Sequence, residues 1–96
     1  GVNVFPSQIE HVLLQHDELA EPFQIVINRR GALDNLIVRV EQRDIAVEKD
    51  RLKSTLEKEL REALLVSVQV EVENPNTLPR FEGKARRVID EREVYE

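Results

Sequence analysis

Apolar and polar residues alternate in blocks along the chain, and the spacing inside each block predicts a helix or a strand. Two blocks have helical spacing. Residues 6–15 begin with Pro6, which suits the first turn of a helix because its missing N–H costs nothing there. Residues 48–65 carry leucines at every fourth position with charged residues between them: Leu52, Leu56, Leu60 and Leu64. This second block predicts an amphipathic helix with one buried stripe.

Three further blocks have the two-residue alternation that is typical of strands. Residues 24–30 and 36–41 flank the predicted turn Arg30-Gly31-Ala32, and so short a connection predicts an antiparallel pair. In the second of these strands, one face should carry Leu36, Val38 and Val40, and the other Ile37, Arg39 and Glu41. Residues 66–73 place a valine at every second position and give the clearest strand signal in the chain.

The remaining segments are predicted to connect these elements. We expect a polar connector over 17–22, a loop over 78–84, a short final strand over 85–90 and a frayed tail over 91–96. The order of elements indicates an α+β fold: a small mixed or antiparallel sheet of about three main strands, with two helices packed on one face. Residues 1–96 should form a single domain in which the valines of the third strand pack on the leucine stripe.

Composition narrows the classes of protein. The chain has 96 residues and a net charge of −5, which leaves room for one hydrophobic core. A sequence pI near 5.1 argues against a nucleic-acid partner. The absence of cysteine excludes disulfides, cysteine-based metal sites and cysteine nucleophiles, and it fits the cytoplasm, where we expect the protein to act. No apolar run approaches the roughly 20 residues of a membrane span, so no membrane partner is expected.

The two histidines, His11 and His16, do not predict a metal site. They are five positions apart, whereas two histidine ligands on one helix face need a spacing of four. We interpret them as surface residues that flank the end of a helix.

The sequence between Leu78 and Asp90 carries the strongest candidate for chemistry. Gly83 permits a sharp turn or a close approach to a ligand, and Lys84 follows it directly with a mobile positive charge. Arg80, Arg86 and Arg87 make the surroundings basic. From spacing alone, an ordinary solvated loop with charges balanced by nearby acids is favoured over a binding loop for phosphate or carboxylate.

Two motifs near opposite ends of the chain resemble one known family. The segment after the hinge in adenylate-forming acyl-CoA ligases is similar to Gly1-Val2-Asn3-Val4-Phe5-Pro6-Ser7-Gln8-Ile9-Glu10. The closing motif of the same superfamily is similar to Pro79-Arg80-Phe81-Glu82-Gly83-Lys84-Ala85-Arg86-Arg87-Val88. The first motif most resembles phenylacetate–coenzyme A ligases. The resemblance covers essentially the whole chain.

The resemblance implies an enzyme that joins a carboxylic acid to coenzyme A, with ATP as co-substrate and an acyl-adenylate as intermediate. Members have a large N-terminal domain for ATP and acid and a small C-terminal lid that swings between two poses. The start at Gly1 and the absence of methionine indicate a piece cut from a longer chain, and the resemblance implies that this piece is the lid. Because the lid lacks the pockets for ATP and acid, we expect it to be inactive alone. Its implied partner is the N-terminal domain of the same chain, which would hold the aryl acid and the Mg²⁺ that accompanies ATP.

The resemblance also assigns roles to residues. Lys84 falls on the lysine of adenylation, supported in its loop by Gly83 and Arg80, and Gly1, Val2 and Asn3 fall where the family lines the coenzyme A tunnel. One departure is Phe81, which stands where many members carry a small hydroxyl residue.

Two readings from other classes stay open at the level of sequence. One is a ferredoxin-like module without catalysis that binds a small molecule. The other is a structural interaction domain that forms a homodimer through an exposed sheet edge.

Overall fold

The computed structural model describes residues 6–30, 33–78 and 88–90, and within them it contains two helices and four strands. In chain order these are α1 (Pro6–Leu13), β1 (Leu19–Arg30), β2 (Leu33–Gln42), α2 (Lys49–Leu64), β3 (Gln69–Glu73) and β4 (Val88–Asp90). The predicted α+β class is confirmed, and Pro6 is the first residue of α1 as expected.

The four strands form one mixed sheet in the order β3-β2-β1-β4. The central pair is the predicted antiparallel hairpin, with Val26 opposite Ile37. Both outer strands run parallel to their neighbours: β3 pairs with β2, and β4 pairs with β1. The sheet therefore has three longer strands, as predicted, and a short fourth strand within the segment 85–90 that was predicted to form one; residues 85–87 lie outside the described residues.

The start of β1 corrects the prediction of a polar connector over 17–22. Residues 19–22 belong to the strand, and Leu19 pairs with Gln42. The register shifts between Leu19 and Phe23, and Pro22 lies within this irregular stretch. Proline lacks the N–H that a regular ladder needs and is tolerated at such irregularities, so a polar, proline-containing segment can still continue the strand.

Both helices end before the last residue of their predicted ranges. α1 ends at Leu13 instead of residue 15, and the chain then tightens, with the N–H of His16 donating to the carbonyl of Leu13. α2 ends at Leu64, where Leu65 takes a left-handed conformation with φ of 59° and donates its N–H to Arg61. Residues 65–68 carry the chain from helix to sheet, so β3 begins at Gln69 and not at residue 66.

The core lies between the helices and one face of the sheet. Its buried members come from both helices, the three longer strands and the segment before β3: Ile9, Val12, Leu13, Leu19, Phe23, Ile25, Ile27, Leu36, Val38, Val40, Leu52, Leu56, Leu60, Val68 and Val70. Leu64 and Val72 are partly buried against this cluster. The leucine stripe and the alternate residues of β2 thus pack as predicted, with both helices on one face.

The opposite side of the sheet, here called the outer face, is also partly apolar. Val26 and Ile37 are buried there although they lie outside the core cluster, and Leu78 is buried outside it as well. Arg39 forms an exposed ion pair with Glu71 across β2 and β3 on the same face. Neither described helix is long and apolar enough to cross a membrane.

Candidate functional site

The residues that the sequence assigns to chemistry lie outside the described part of the chain. Lys84, Gly83, Arg80 and Phe81 fall in residues 79–87, and the predicted tunnel residues Gly1, Val2 and Asn3 fall in residues 1–5. The structure does describe how the chain enters and leaves the segment 79–87, and these two points define the candidate site.

The chain enters this segment through a turn after β3. Pro75 is followed by Asn76, which has a φ of 63°. Proline followed by a residue with positive φ is the combination that type II turns favour, and asparagine tolerates that conformation better than most residues. The turn brings Thr77 and Leu78 back to the last part of β2.

Glu41 binds the backbone of the chain at that point. Its Oε1 atom accepts hydrogen bonds from the backbone N–H of Thr77 at 3.0 Å and of Leu78 at 2.9 Å. The side chain of Glu41 is completely buried. A buried carboxylate is costly unless it is hydrogen-bonded, and bonds from N–H groups to an ionised acceptor are among the stronger ones in proteins.

Local spacing gave no indication of this role for Glu41. Alternation placed it on the same face as Ile37 and Arg39 but assigned it no partner. The available signal was the apolar character of Ile37 and Val26, which indicates that the outer face is not simply solvated. The identity of the partners, 36 and 37 positions away in sequence, could not be read from local spacing.

The chain leaves the segment by joining the other central strand. Val88 pairs with Ile25 and Asp90 with Ile27 in the parallel ladder between β4 and β1. The segment 79–87 is therefore bounded by a contact on β2 at one end and by a ladder on β1 at the other.

The two histidines have separate surroundings. His11 is exposed and its ring nitrogen lies 3.3 Å from the amide nitrogen of Gln15. His16 is half-buried and its Nε2 lies 2.8 Å from Oε1 of Glu59, which joins the end of α1 to α2. Among residues 6–30, 33–78 and 88–90, no group of three or more histidine, aspartate or glutamate side chains is arranged to hold a metal ion.

A cavity of about 250 Å³ opens on the helix-covered face of the sheet, beside the end of α1. Leu13, Leu19, Phe23 and Val40 supply apolar walls, and Glu10 and Arg43 are among its charged lining residues. Since Val40 and Phe23 belong to the core cluster, this cavity lies on the helix side and is separate from Glu41.

Comparison with known proteins decides what kind of domain carries this site. The family described as AMP-binding enzyme C-terminal domain matches residues 1–92. The chain belongs to this family. The match covers both motifs that carried the resemblance and the two central strands that bound the segment 79–87.

This AMP-binding enzyme C-terminal domain is similar to curated phenylacetate–coenzyme A ligases. It is 35% identical over 99 residues to the one from Escherichia coli K12, covering 98% of the chain and 23% of that protein. It is 38% identical over 97 residues to the one from Pseudomonas putida, covering 96% of the chain and 22% of that protein. The chain thus spans less than a quarter of the length of these relatives.

Solved structures share the fold. A domain of phenylacetate–coenzyme A ligase from Bacteroides vulgatus superposes with a TM-score of 0.85 at 30% identity, covering 99% of this chain and 91% of that one. A 2-hydroxyisobutyryl-CoA ligase in complex with 2-HIB-AMP and CoA, in its thioesterification state, matches with a TM-score of 0.85 at 34% identity, covering 96% of this chain and 20% of that one. A domain of this fold therefore makes up about a fifth of a CoA ligase that was solved with 2-HIB-AMP and CoA.

Proposed function

We propose that this chain is the mobile C-terminal domain of an ATP-dependent ligase that joins an aryl acid of the phenylacetate type to coenzyme A. The observation that carries the proposal is the family match over residues 1–92. The substrate class comes from the names of the relatives, all of which exceed 30% identity over nearly the whole chain. The N-terminal domain of the same protein would be the partner that binds ATP with its Mg²⁺ and the acid, and we propose that this domain alone holds none of these ligands.

The reaction has two steps. In the first, a carboxylate oxygen of the acid attacks the α-phosphorus of ATP, and pyrophosphate leaves to give the acyl-adenylate. In the second, the thiol of coenzyme A loses its proton and attacks the acyl carbon, and AMP leaves with the bonding electron pair. The structures of 2-hydroxyisobutyryl-CoA ligase in postadenylation and thioesterification states support a division of the work between two arrangements of such an enzyme.

Lys84 is proposed to act in the first step. A carboxylate and a phosphate repel each other, and charge is redistributed over the α-phosphate oxygens as the new bond forms. A lysine ammonium beside these oxygens would offset that charge without transferring a proton. Gly83 and Arg80 would support the loop that carries Lys84, and Gly1, Val2 and Asn3 would line the coenzyme A tunnel in the second step.

The test is Lys84→Ala in the full-length enzyme, assayed separately for each step. We expect adenylation, measured as pyrophosphate release dependent on phenylacetate, to fall at least about a hundredfold, comparable to removing one preorganised donor from a developing charge. Thioester formation from supplied acyl-adenylate should remain within a few-fold of the unmodified enzyme. Lys53→Ala, which removes an exposed lysine from α2, is the matched control and should leave both steps unchanged. Equal loss of both steps in Lys84→Ala would contradict the assigned role.

A further inference from the structure

The surroundings of Glu41 are unusual for a charged residue in a small sheet. It is completely buried, and one of its oxygens accepts two consecutive backbone N–H groups. Its partner across the parallel ladder is Glu73, so two acidic residues occupy paired positions on β2 and β3. An apolar residue at the position of Glu41 would avoid the cost of burying a carboxylate.

The arrangement fixes the backbone at one particular place. Thr77 and Leu78 are the last described residues before the segment 79–87, and Lys84 is six positions after Leu78. The other end of this segment is held by the pairing of Val88 with Ile25. Strands β1 and β2 are neighbours at the centre of the sheet, so both ends of the segment are attached to its two central strands.

We propose that Glu41 is a positioning residue for adenylation, which fixes the backbone from which the segment carrying Lys84 begins. The inference rests on the function proposed above. A lysine that must meet a carboxylate and a phosphate in another domain acts only when its ammonium group arrives within a narrow range of positions, and displacement by about 1 Å can cost on the order of a hundredfold in rate. Glu41 would limit that displacement at the start of the segment.

A carboxylate suits this role better than a neutral acceptor. Two N–H groups on adjacent residues donate to one oxygen atom, and an ionised carboxylate accepts stronger hydrogen bonds than a neutral group does. The side chain is excluded from water, which would otherwise compete for the same donors. Glutamine would keep a carbonyl oxygen in the same place but would lose the charge, so it should hold the backbone less firmly.

The experiment uses the full-length enzyme with Glu41→Ala and Glu41→Gln. We expect Glu41→Ala to lower kcat for adenylation by about ten- to a hundredfold, with KM for ATP and acid within twofold, because both substrates bind the other domain. Glu41→Gln should lie between Glu41→Ala and the unmodified enzyme. Thioester formation from supplied acyl-adenylate should stay within threefold in both variants, which also reports that they are folded.

Glu73→Gln is the matched control. It removes the same charge from the neighbouring position in the ladder without touching the acceptor of Thr77 and Leu78. We expect it to leave kcat for adenylation within twofold.

A double-mutant cycle separates this inference from the proposed function. If Glu41 acts through Lys84, adding Glu41→Ala to Lys84→Ala should cause no further loss of adenylation beyond about twofold. If Lys84→Ala leaves adenylation intact, the proposed role of Lys84 fails. If Lys84→Ala abolishes adenylation while a folded Glu41→Ala retains it, only the positioning role fails. Equal loss of both steps in the Glu41 variants, or failure of both to fold, would overturn the inference in favour of a purely structural role.

Discussion

Glu57 shows how a single side chain protects the edge of this sheet. β3 is the outer strand on its side, and edge strands expose N–H groups that can pair with another chain. Oε2 of Glu57 on α2 accepts the N–H of Val70 at 3.0 Å. A helix residue thereby occupies a position that a strand from another molecule could otherwise use.

Replacing Glu57 by alanine should destabilise the domain. The loss of a hydrogen bond from a half-buried N–H to a carboxylate should lower the free energy of unfolding by about 1–2 kcal/mol. Glu62→Ala, at an exposed position of the same helix, is the control because both substitutions gain the same helix propensity. Urea unfolding followed by circular dichroism gives the difference between them. An identical midpoint for the two variants would contradict the role of Glu57.

Helix α2 is the element that organises the domain. Its buried leucines face the sheet, and two of its charged residues reach the segment between α1 and β1: Glu59 contacts His16, and Arg51 contacts Glu18 at 2.8 Å. These pairs are partly exposed and each contributes at most about 1 kcal/mol. The apolar stripe therefore determines the stability of the helix, while these polar contacts favour one arrangement of the segment between α1 and β1.

Leu65, the residue that follows α2, has a strained backbone conformation, and a substitution can remove that strain. Leu65 has a φ of 59° and is 86% exposed, so its side chain contributes little burial while its backbone takes a conformation that glycine prefers. We expect Leu65→Gly to raise the free energy of unfolding by about 0.5–1 kcal/mol, since the steric cost of the side chain exceeds the entropic cost of glycine.

A second glycine substitution two positions earlier tests the reason for this effect. Ala63 is exposed and lies inside the helix, where Ala63→Gly should lower the free energy of unfolding by about 1 kcal/mol. Thermal unfolding should show shifts of opposite sign for the two variants. A decrease in Tm for both would mean that the conformation of Leu65 is not the source of strain.

At the scale of the whole molecule, the share of the relatives that this chain covers bears on its activity. It spans 22–23% of two phenylacetate–coenzyme A ligases, so more than three quarters of the length of each relative lies outside the matched part. We therefore expect the isolated chain to be inactive, and to support adenylation only together with the N-terminal part of its parent protein.

Mixing the two parts provides the measurement. Pyrophosphate release that depends on phenylacetate and ATP should require both parts and should be lost when the chain carries Lys84→Ala. Release by the isolated chain would refute the expectation of inactivity. The homodimer suggested by an exposed sheet edge stays a prediction, and light scattering of the isolated chain would test it.

The sequence by itself determined the elements whose signals are local. The four-residue leucine repeat located α2, the alternation in 24–30 and 36–41 located the hairpin, and Pro6 marked the first residue of α1. Periodicity reports which face of an element is buried, and this is enough to infer an α+β domain with both helices on one side. The two terminal motifs also carried the resemblance to the family, because they are continuous in sequence.

Only the tertiary structure decided how distant segments meet. It extended β1 back to Leu19 through an irregular register, delayed β3 to Gln69, and placed β3 and β4 parallel to the central strands. It also showed that Glu41 is a buried acceptor for the N–H groups of Thr77 and Leu78. These features depend on contacts between residues far apart along the chain, and the spacing of neighbouring residues contains no information about which distant backbone will supply the partner.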